Sequence, residues 1–142
     1  MMKKKVKIPS LSVVIPAYNE CRTIEVVFDR VYDNELVSEI ILVDDCSSDG
    51  TSNIIDRISK NILDKKNISI KIYKNEKNIG KGGSLRAGFK LATKEVIVIQ
   101  DADLEYNPKD YSRLIAPIAE GKADVVYGSR FIGGTHRVLF FW

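Results

Sequence analysis

Short apolar runs alternate along this chain with segments whose apolar residues recur every three or four positions. The runs are typical of buried strands, and the periodic segments are typical of helices that pack on one face. The predicted strands are 11–15, 40–43, 68–73, 95–100 and 124–127, and the predicted helices are 20–34, 51–63, 82–93 and 108–119. Regular alternation of strand and helix predicts right-handed crossovers. The pattern therefore indicates an α/β fold with a Rossmann-like, doubly wound, mainly parallel sheet.

Two of the predicted strands differ in how much of their surface is apolar. The run Val96-Ile97-Val98-Ile99 is uninterrupted and β-branched, which predicts a strand buried on both faces of a parallel sheet. Residues 68–73 instead alternate between apolar and polar side chains. That alternation predicts an edge strand that is exposed on one side.

The chain has 142 residues, 44% of them hydrophobic, which is enough for a single domain with a core. We divide it into a basic N-terminal extension (1–10), one α/β domain (11–132), and a loop with an apolar tail (133–142). The tail ends on Val138-Leu139-Phe140-Phe141-Trp142, and such a cluster leaves an exposed patch unless it docks or dimerises. We expect the tail to begin an element whose remainder is missing, to form a homodimer, or to contact a membrane surface.

Charge and cysteine content exclude several functional classes. The net charge is +3 and the lysines are dispersed apart from the N-terminal cluster and one pair, so no nucleic-acid footprint is predicted. No apolar stretch approaches the length of a signal peptide or a membrane span. Cys21 and Cys46 form neither a disulfide framework nor a zinc motif. We expect a cytoplasmic protein, with the cytoplasmic face of the membrane as a further location.

Asp101-Ala102-Asp103 stands directly behind the most apolar run, at a predicted carboxyl end. Ligands of open α/β sheets collect outside these ends. Residues two apart in extended backbone point to the same side, so Asp101 and Asp103 are predicted to converge, joined by Glu105 if the extension persists. Oxygen donors without histidine or thiolate suit Mg²⁺ or Mn²⁺ shared with phosphate oxygens. The alternative is that the two aspartates cap the next helix.

Other polar groups also lie at predicted strand ends or helix starts. They are Pro16-Ala17-Tyr18-Asn19-Glu20, Asp44-Asp45, Asn78-Ile79-Gly80-Lys81-Gly82 and Gly128-Ser129-Arg130. Each has a structural interpretation: Asn19 caps a helix, 47–51 is a turn with capping residues, 80–83 is a flexible helix start, and Arg130 forms a surface ion pair. For 47–51 we prefer the structural interpretation. The glycines match neither a P-loop nor a dinucleotide fingerprint.

Taken together, these ordered motifs resemble family 2 glycosyltransferases of the GT-A fold, from about Leu11 to the end of the chain. Within that family the resemblance is greatest to the branch that includes dolichyl- and polyprenyl-phosphate sugar synthases. It implies a nucleotide-diphosphate sugar donor, UDP- or GDP-linked, a divalent metal and inversion at the anomeric carbon. It also implies a polyprenyl phosphate or a cell-envelope glycan as the acceptor.

The resemblance also implies roles for individual residues. Those that resemble the pocket for base and ribose are Pro16, Tyr18, Glu20, Val43 and Asp45, with Lys81 as a further nucleotide contact. Those that resemble the catalytic clamp on metal and diphosphate are Asp101, Ala102, Asp103 and Arg130. Glu105 stands where the phosphomannose synthases usually have glutamine, so it is a candidate third metal ligand.

Three other functions compete with sugar transfer. A nucleotidyltransferase would carry a glycine-rich basic first loop, and a phospho-receiver module would carry its paired acids after the first strand. The third is a truncated module that binds nucleotide and transfers nothing. The only histidine, His136, lies in the tail and is read as a bystander rather than a general base. A phosphate acceptor needs no such base, because it is already anionic near neutral pH. The alternative is an aspartate base in a C-terminal part that is missing from this chain.

Overall fold

A computed structural model of the chain describes residues 7–61 and 67–128. Its strands are β1 (Leu11–Ala17), β2 (Val37–Asp44), β3 (Ser69–Lys74) and β4 (Val96–Ile99). Its helices are α1 (Ile24–Tyr32), α2 (Thr51–Asn61), α3 (Gly80–Leu91) and α4 (Tyr111–Ala119), the last preceded by a 3₁₀ turn at Pro108–Asp110.

The four strands are parallel and lie in the order β3-β2-β1-β4. The chain thus winds outward from β1 to β3 and returns through α3 to the other side of β1. Side chains of α1, α2 and α4 join the core on one face of the sheet, while α3 packs on the other. The predicted doubly wound α/β fold is confirmed. The carboxyl ends of β1 and β4 form its topological switch point, where ligands of such sheets bind.

Alternating side chains of β1 and β2 bury both faces of the sheet centre. Val13 and Ile15 point into the larger core, with Ile40 and Leu42 beside them. Val14 lies between these positions in the sequence and faces α3 instead, together with Ile41 and Val43. This two-sided burial explains why the central strands read as continuous apolar runs, because neither face meets water.

Gly88 sets how closely α3 approaches the sheet. A Cβ at this position would overlap Val14 Cγ1 and would lie 3.4 Å from Val43 Cγ2. We expect Gly88→Ala to lower the free energy of unfolding by about 1–3 kcal/mol, as overpacked cores do. Urea denaturation followed by circular dichroism measures the change.

Gly82→Ala is the matched control on the same helix, because a Cβ there meets no heavy atom within 4 Å. Alanine is the better helix former, so this variant should gain up to about 1 kcal/mol. Equal stabilities of the two variants would contradict the close packing assigned to Gly88.

A buried carboxylate ties the strands together at the end of the sheet opposite to the switch point. Glu39 on β2 is 1% exposed and pairs through Oε1 with Lys71 Nζ of β3 at 2.8 Å. Ser12 Oγ of β1 and the Thr93 backbone N–H donate to Glu39 Oε2, and Thr93 Oγ1 donates to Oε1. Burial alone would raise the pKa of Glu39, but these partners outweigh it and lower the pKa to about 2.

The prediction that 96–99 is buried on both faces is wrong. Val98 faces the core, but Ile97 and Ile99 on the opposite face are 41% and 46% exposed. In the described part of the chain β4 is an edge of the sheet, and α3 covers β1 and β2 rather than β4. The predicted edge position of β3 is confirmed, since β3 lies at the other end of the sheet.

Two other predicted elements differ from the structure. Residues 124–127 form no strand, and Val125 and Tyr127 are 65% and 89% exposed. Apolar residues become a strand only when a neighbouring strand accepts their hydrogen bonds, and these residues pair with no described strand. The first helix begins at Ile24 rather than at residue 20, because 20–23 form a turn. Within the described ranges, no helix combines the length and the apolar character that crossing a membrane requires.

Candidate functional site

A cavity of about 240 Å³ opens at the switch point, beyond the carboxyl ends of β1, β2 and β4 and beside the first turn of α3. Its lining residues are Pro16, Ala17, Tyr18, Glu20, Asp45, Lys81, Ser84, Asp101 and Asp103. Seven of the eleven residues that the resemblance selects therefore meet in one place. The signal was the position of these residues at strand ends, which a parallel sheet brings to one edge.

Four predicted site residues do not line the cavity. Val43 is fully buried under α3, and Ala102 is 3% exposed and belongs to the core on the other face. The side chains of Val43 and Ala102 therefore pack in the core, and only the backbone of these two residues could reach a ligand. Glu105 is absent from the lining. Arg130 lies outside the described residues, as do His136 and the apolar tail.

The acidic loop after β4 turns instead of staying extended. Leu104 has a φ of 67°, in the left-handed region, and the Asp103 carboxylate accepts the backbone N–H of Glu105 at 3.0 Å. The extension that would have aligned Glu105 with Asp101 and Asp103 is therefore absent. Among residues 7–61 and 67–128, no three acidic, histidine or cysteine side chains converge as a metal site. Asp101 and Asp103 remain as a pair on the cavity wall.

Gln100 supports this acidic loop from below, a role that the sequence analysis missed. Its Nε2 donates to the carbonyl of Asp101 at 3.1 Å and to that of Tyr106 at 3.2 Å, at the two ends of the loop. Its Oε1 accepts the Tyr111 hydroxyl at 2.7 Å, and both side chains are buried. Burial raises the pKa of Tyr111 well above its usual range, so the phenol stays a donor. The sequence offered one signal for this role, because Gln100 is a polar residue directly after the apolar run 96–99.

Replacing Gln100 with leucine should therefore disturb both stability and the site. The Tyr111 hydroxyl and two loop carbonyls would lose their partner, at a cost of about 1–3 kcal/mol in unfolding free energy. Tyr111→Phe removes only the hydrogen bond to Gln100 and should cost about 1 kcal/mol. Urea denaturation of both variants measures the change. Equal losses of stability in Gln100→Leu and Tyr111→Phe would contradict the supporting role of the Gln100 amide toward the loop carbonyls.

Asp45 joins the start of α3 to the end of β2. Its Oδ1 accepts the Ile79 N–H at 2.9 Å and Asn75 Nδ2 at 2.7 Å, and its Oδ2 accepts the Gly80 N–H at 2.8 Å. Asn75 Nδ2 also lies 2.9 Å from Ser84 Oγ. Burial raises the pKa of Asp45, but these donors outweigh it and the net shift is downward. Asp45 is therefore an ionised helix cap whose side chain also lines the cavity.

The loops after β1 and β2 are joined by side-chain hydrogen bonds, and the local bonds from Thr51 to Asp49 agree with the structural interpretation of 47–51 as a turn with capping residues. Asp49 accepts the hydroxyl of Thr51 at 2.6 Å and the backbone N–H of Cys21 at 3.1 Å. Asn19 does not cap α1; its Oδ1 accepts the Ser48 N–H at 2.9 Å. The Thr51 hydroxyl lowers the pKa of Asp49 well below its usual range. These bonds hold the segment that places Tyr18 and Glu20 on the cavity.

The environment of Cys21 does not activate its thiol. Asp49 beside Cys21 raises the pKa of that thiol, which disfavours the reactive thiolate. The Cys46 thiol donates to the carbonyl of Glu76 at 3.8 Å. Both cysteines are free, in agreement with the expectation from the sequence.

Lys81 reaches across the cavity to the acidic loop. Its Nζ lies 2.6 Å from Asp101 Oδ1, and the two side chains are 58% and 18% exposed. Lys81 is in the first turn of α3, whereas Asp101 follows β4 by two residues. The residues lining the cavity thus include four carboxylates and one ammonium group.

Comparison with known proteins places the chain in a family. Residues 12–142 match the family described as Glycosyl transferase family 2. A dolichol-phosphate mannosyltransferase from Pyrococcus furiosus is 35% identical over 127 residues, which are 87% of this chain and 34% of that enzyme. The chain thus spans about a third of the length of this relative.

Solved structures of glycosyltransferases share the fold. A mannosyltransferase from Pyrobaculum calidifontis in complex with GDP-Man and Mn²⁺ aligns with a TM-score of 0.61 and 29% identity, over 68% of this chain and 28% of that one. Glucosyl-3-phosphoglycerate synthase from Mycobacterium tuberculosis, in complex with Mn²⁺, UDP-glucose and phosphoglyceric acid, aligns with a TM-score of 0.62 and 27% identity. That alignment covers 80% of this chain and 40% of the synthase. The GT-A fold expected from the motifs is confirmed.

Proposed function

The chain belongs to glycosyl transferase family 2, and on that basis we propose that it binds a nucleotide-diphosphate sugar together with a divalent metal ion. The bound sugar is transferred with inversion to a polyprenyl phosphate or a cell-envelope glycan. The donor is UDP- or GDP-linked, as in the two structural neighbours, which hold UDP-glucose and GDP-Man.

The charge of the cavity is the observation that carries this proposal. Four carboxylates and one ammonium line the described cavity, and a diphosphate adds further negative charge. Like charges about 4 Å apart repel by roughly 4 kcal/mol at an effective dielectric constant of about 20. One ammonium group does not balance four carboxylates, so a diphosphate would need a further cation to bind here. Asp101 and Asp103 provide hard oxygen donors on the wall where that cation would lie.

The residues present fit Mg²⁺ or Mn²⁺ but do not form a complete protein cage. Such ions in nucleotide sites commonly take one or two carboxylates and complete their coordination with phosphate oxygens and water. Asp101 and Asp103 match that requirement, and Glu105 stays a candidate for an outer contact. When bound, the metal would neutralise, as a Lewis acid, the charge that develops on the departing diphosphate. Mn²⁺ accompanies the nucleotide in both structural neighbours.

The remaining cavity residues would bind and orient the nucleoside. Tyr18 is 49% exposed at the cavity, so its ring is available to a base, while Pro16 and Ala17 form the adjacent wall. The capped start of α3 fixes Asp45 near the ribose position that we propose. Arg130 is proposed as a further contact to the phosphates, on the strength of the sequence resemblance alone.

A phosphate acceptor would not require a general base from the protein. A phosphate monoester is already ionised near neutral pH, so it can attack the anomeric carbon without a general base. The relative from Pyrococcus furiosus is named for dolichol phosphate. We therefore favour a polyprenyl phosphate, and with it an association of the protein with the cytoplasmic membrane surface.

A donor-binding unit without transferase activity is the second candidate. Every predicted site residue that lines the cavity has a proposed role toward the metal or the nucleotide of the donor. The chain also spans only 34% of the related mannosyltransferase. Both observations fit a part of the enzyme that holds the donor, with acceptor groups contributed from elsewhere.

A transfer assay separates the two candidates. The chain is incubated with radiolabelled UDP- and GDP-sugars, polyprenyl phosphate in detergent, and either Mn²⁺ or EDTA. Metal-dependent transfer of label into the organic phase supports the transferase, and the anomeric configuration of the product tests inversion. Binding of nucleotide without any transfer, across sugars and acceptors, supports the second candidate instead.

A further inference from the structure

The ion pair between Lys81 and Asp101 places a protein cation on a carboxylate that we propose as a metal ligand. Lys81 Nζ lies 2.6 Å from Asp101 Oδ1, and Asp101 is one of the two carboxylates proposed to hold the metal. Lysine is a compact point charge on a flexible stem, and this side chain is 58% exposed. It can therefore leave the carboxylate without losing buried packing.

The position of Lys81 on its helix makes it dependent on an anionic partner. It lies in the first turn of α3, next to the N-terminal Gly80. Helix N-termini carry partial positive charge, so a cation there is unfavourable unless an anion lies close by. Asp101 meets this need in the free protein. The diphosphate of a donor in the same cavity would meet it equally well.

We propose that Lys81 is an exchangeable internal cation of the donor site. It pairs with Asp101 in the metal-free protein, yields that carboxylate to the divalent ion, and then pairs with the diphosphate of the nucleotide. This inference rests on the proposed function. Lys81 therefore opposes metal binding in the absence of nucleotide and favours nucleotide binding in the presence of metal, so the two ligands bind cooperatively.

Lys81→Met tests the exchange, because methionine keeps an unbranched side chain of nearly the same length and removes the charged amine. Exposed ion pairs contribute up to about 1 kcal/mol, so the variant should bind Mn²⁺ alone about twofold to fivefold more tightly than the wild type. Its affinity for UDP or GDP at saturating Mn²⁺ should fall by a similar factor. Electron paramagnetic resonance of free Mn²⁺ and calorimetry of the nucleotides measure the two changes independently of turnover.

Lys90→Met is the matched control, since Lys90 is exposed at the other end of the same helix. This control should change the affinities for Mn²⁺ and for nucleotide only by the small, nonspecific effect of losing one positive charge. If Lys81→Met leaves Mn²⁺ affinity unchanged or weakens it while the wild type binds both ligands, the exchange is refuted and the proposed function stands. If the wild type binds neither Mn²⁺ nor nucleotide, both proposals are refuted.

Discussion

Replacing Asp101 or Asp103 with asparagine is expected to abolish the metal-dependent part of UDP or GDP binding. Asparagine keeps the shape of each side chain but removes the anionic oxygen that a hard divalent cation requires. In the transferase, loss of one preorganised charge at the reacting centre typically lowers the rate by about 10²–10³-fold. Calorimetric titration of each nucleotide with and without Mn²⁺ measures the binding effect.

The fold should survive both substitutions, because Asp101 and Asp103 line an open cavity rather than the core. Asp56→Asn is the control, since Asp56 pairs with Lys74 on the protein surface and the substitution changes charge identically. Metal dependence that persists in both cavity variants would remove Asp101 and Asp103 from the proposed site.

Glu39→Gln is expected to produce the largest loss of stability. The substitution leaves the half-buried ammonium of Lys71 without a counter-ion and sets a new amide donor against the donors of Ser12 and Thr93. Breaking a buried ion pair by removing one partner typically costs about 3–5 kcal/mol. Urea denaturation measures it. Glu25→Gln, which breaks an exposed pair with Arg57, should cost no more than about 1 kcal/mol.

The same carboxylate predicts how stability depends on pH. The folded pKa of Glu39 is about 2 and the unfolded value is 4.5, so the folded state favours the ionised form. Its contribution of about 3 kcal/mol is fully present above pH 4.5 and is lost as the pH falls toward 2. In Glu39→Gln the free energy of unfolding should no longer include this decrease between pH 4.5 and pH 2. If the variant loses as much stability in acid as the wild type, Glu39 is not the titrating group.

The fold and the location of the site followed from the sequence because both depend on local patterns. The apolar periodicity determines which segments are strands, and a parallel sheet collects their carboxyl ends at one edge. Tyr18, Asp45 and Asp103 lie far apart in the sequence, yet they line one cavity for this reason.

What the sequence did not predict depends on contacts between distant residues or on single backbone angles. Glu105 fails to align because Leu104 adopts a left-handed conformation, and no apolar pattern encodes that angle. The apolar run predicts that Ile99 is buried, but its burial depends on whether another element covers that face of β4, and Ile99 is 46% exposed. Gln100 and Lys81 contact residues on other elements of the fold. Their residue types mark them as candidate site residues, but the sequence does not identify their partners.

Binding of UDP and GDP to the unmodified protein, with and without Mn²⁺, tests the central claim most directly. The proposed donor site predicts that at least one of the two nucleotides binds in the presence of Mn²⁺, and that EDTA removes most of that affinity. The reason is that the four carboxylates of the cavity repel the diphosphate when no divalent cation is present. Equal affinity with and without Mn²⁺, or no binding of either nucleotide, would contradict the assignment.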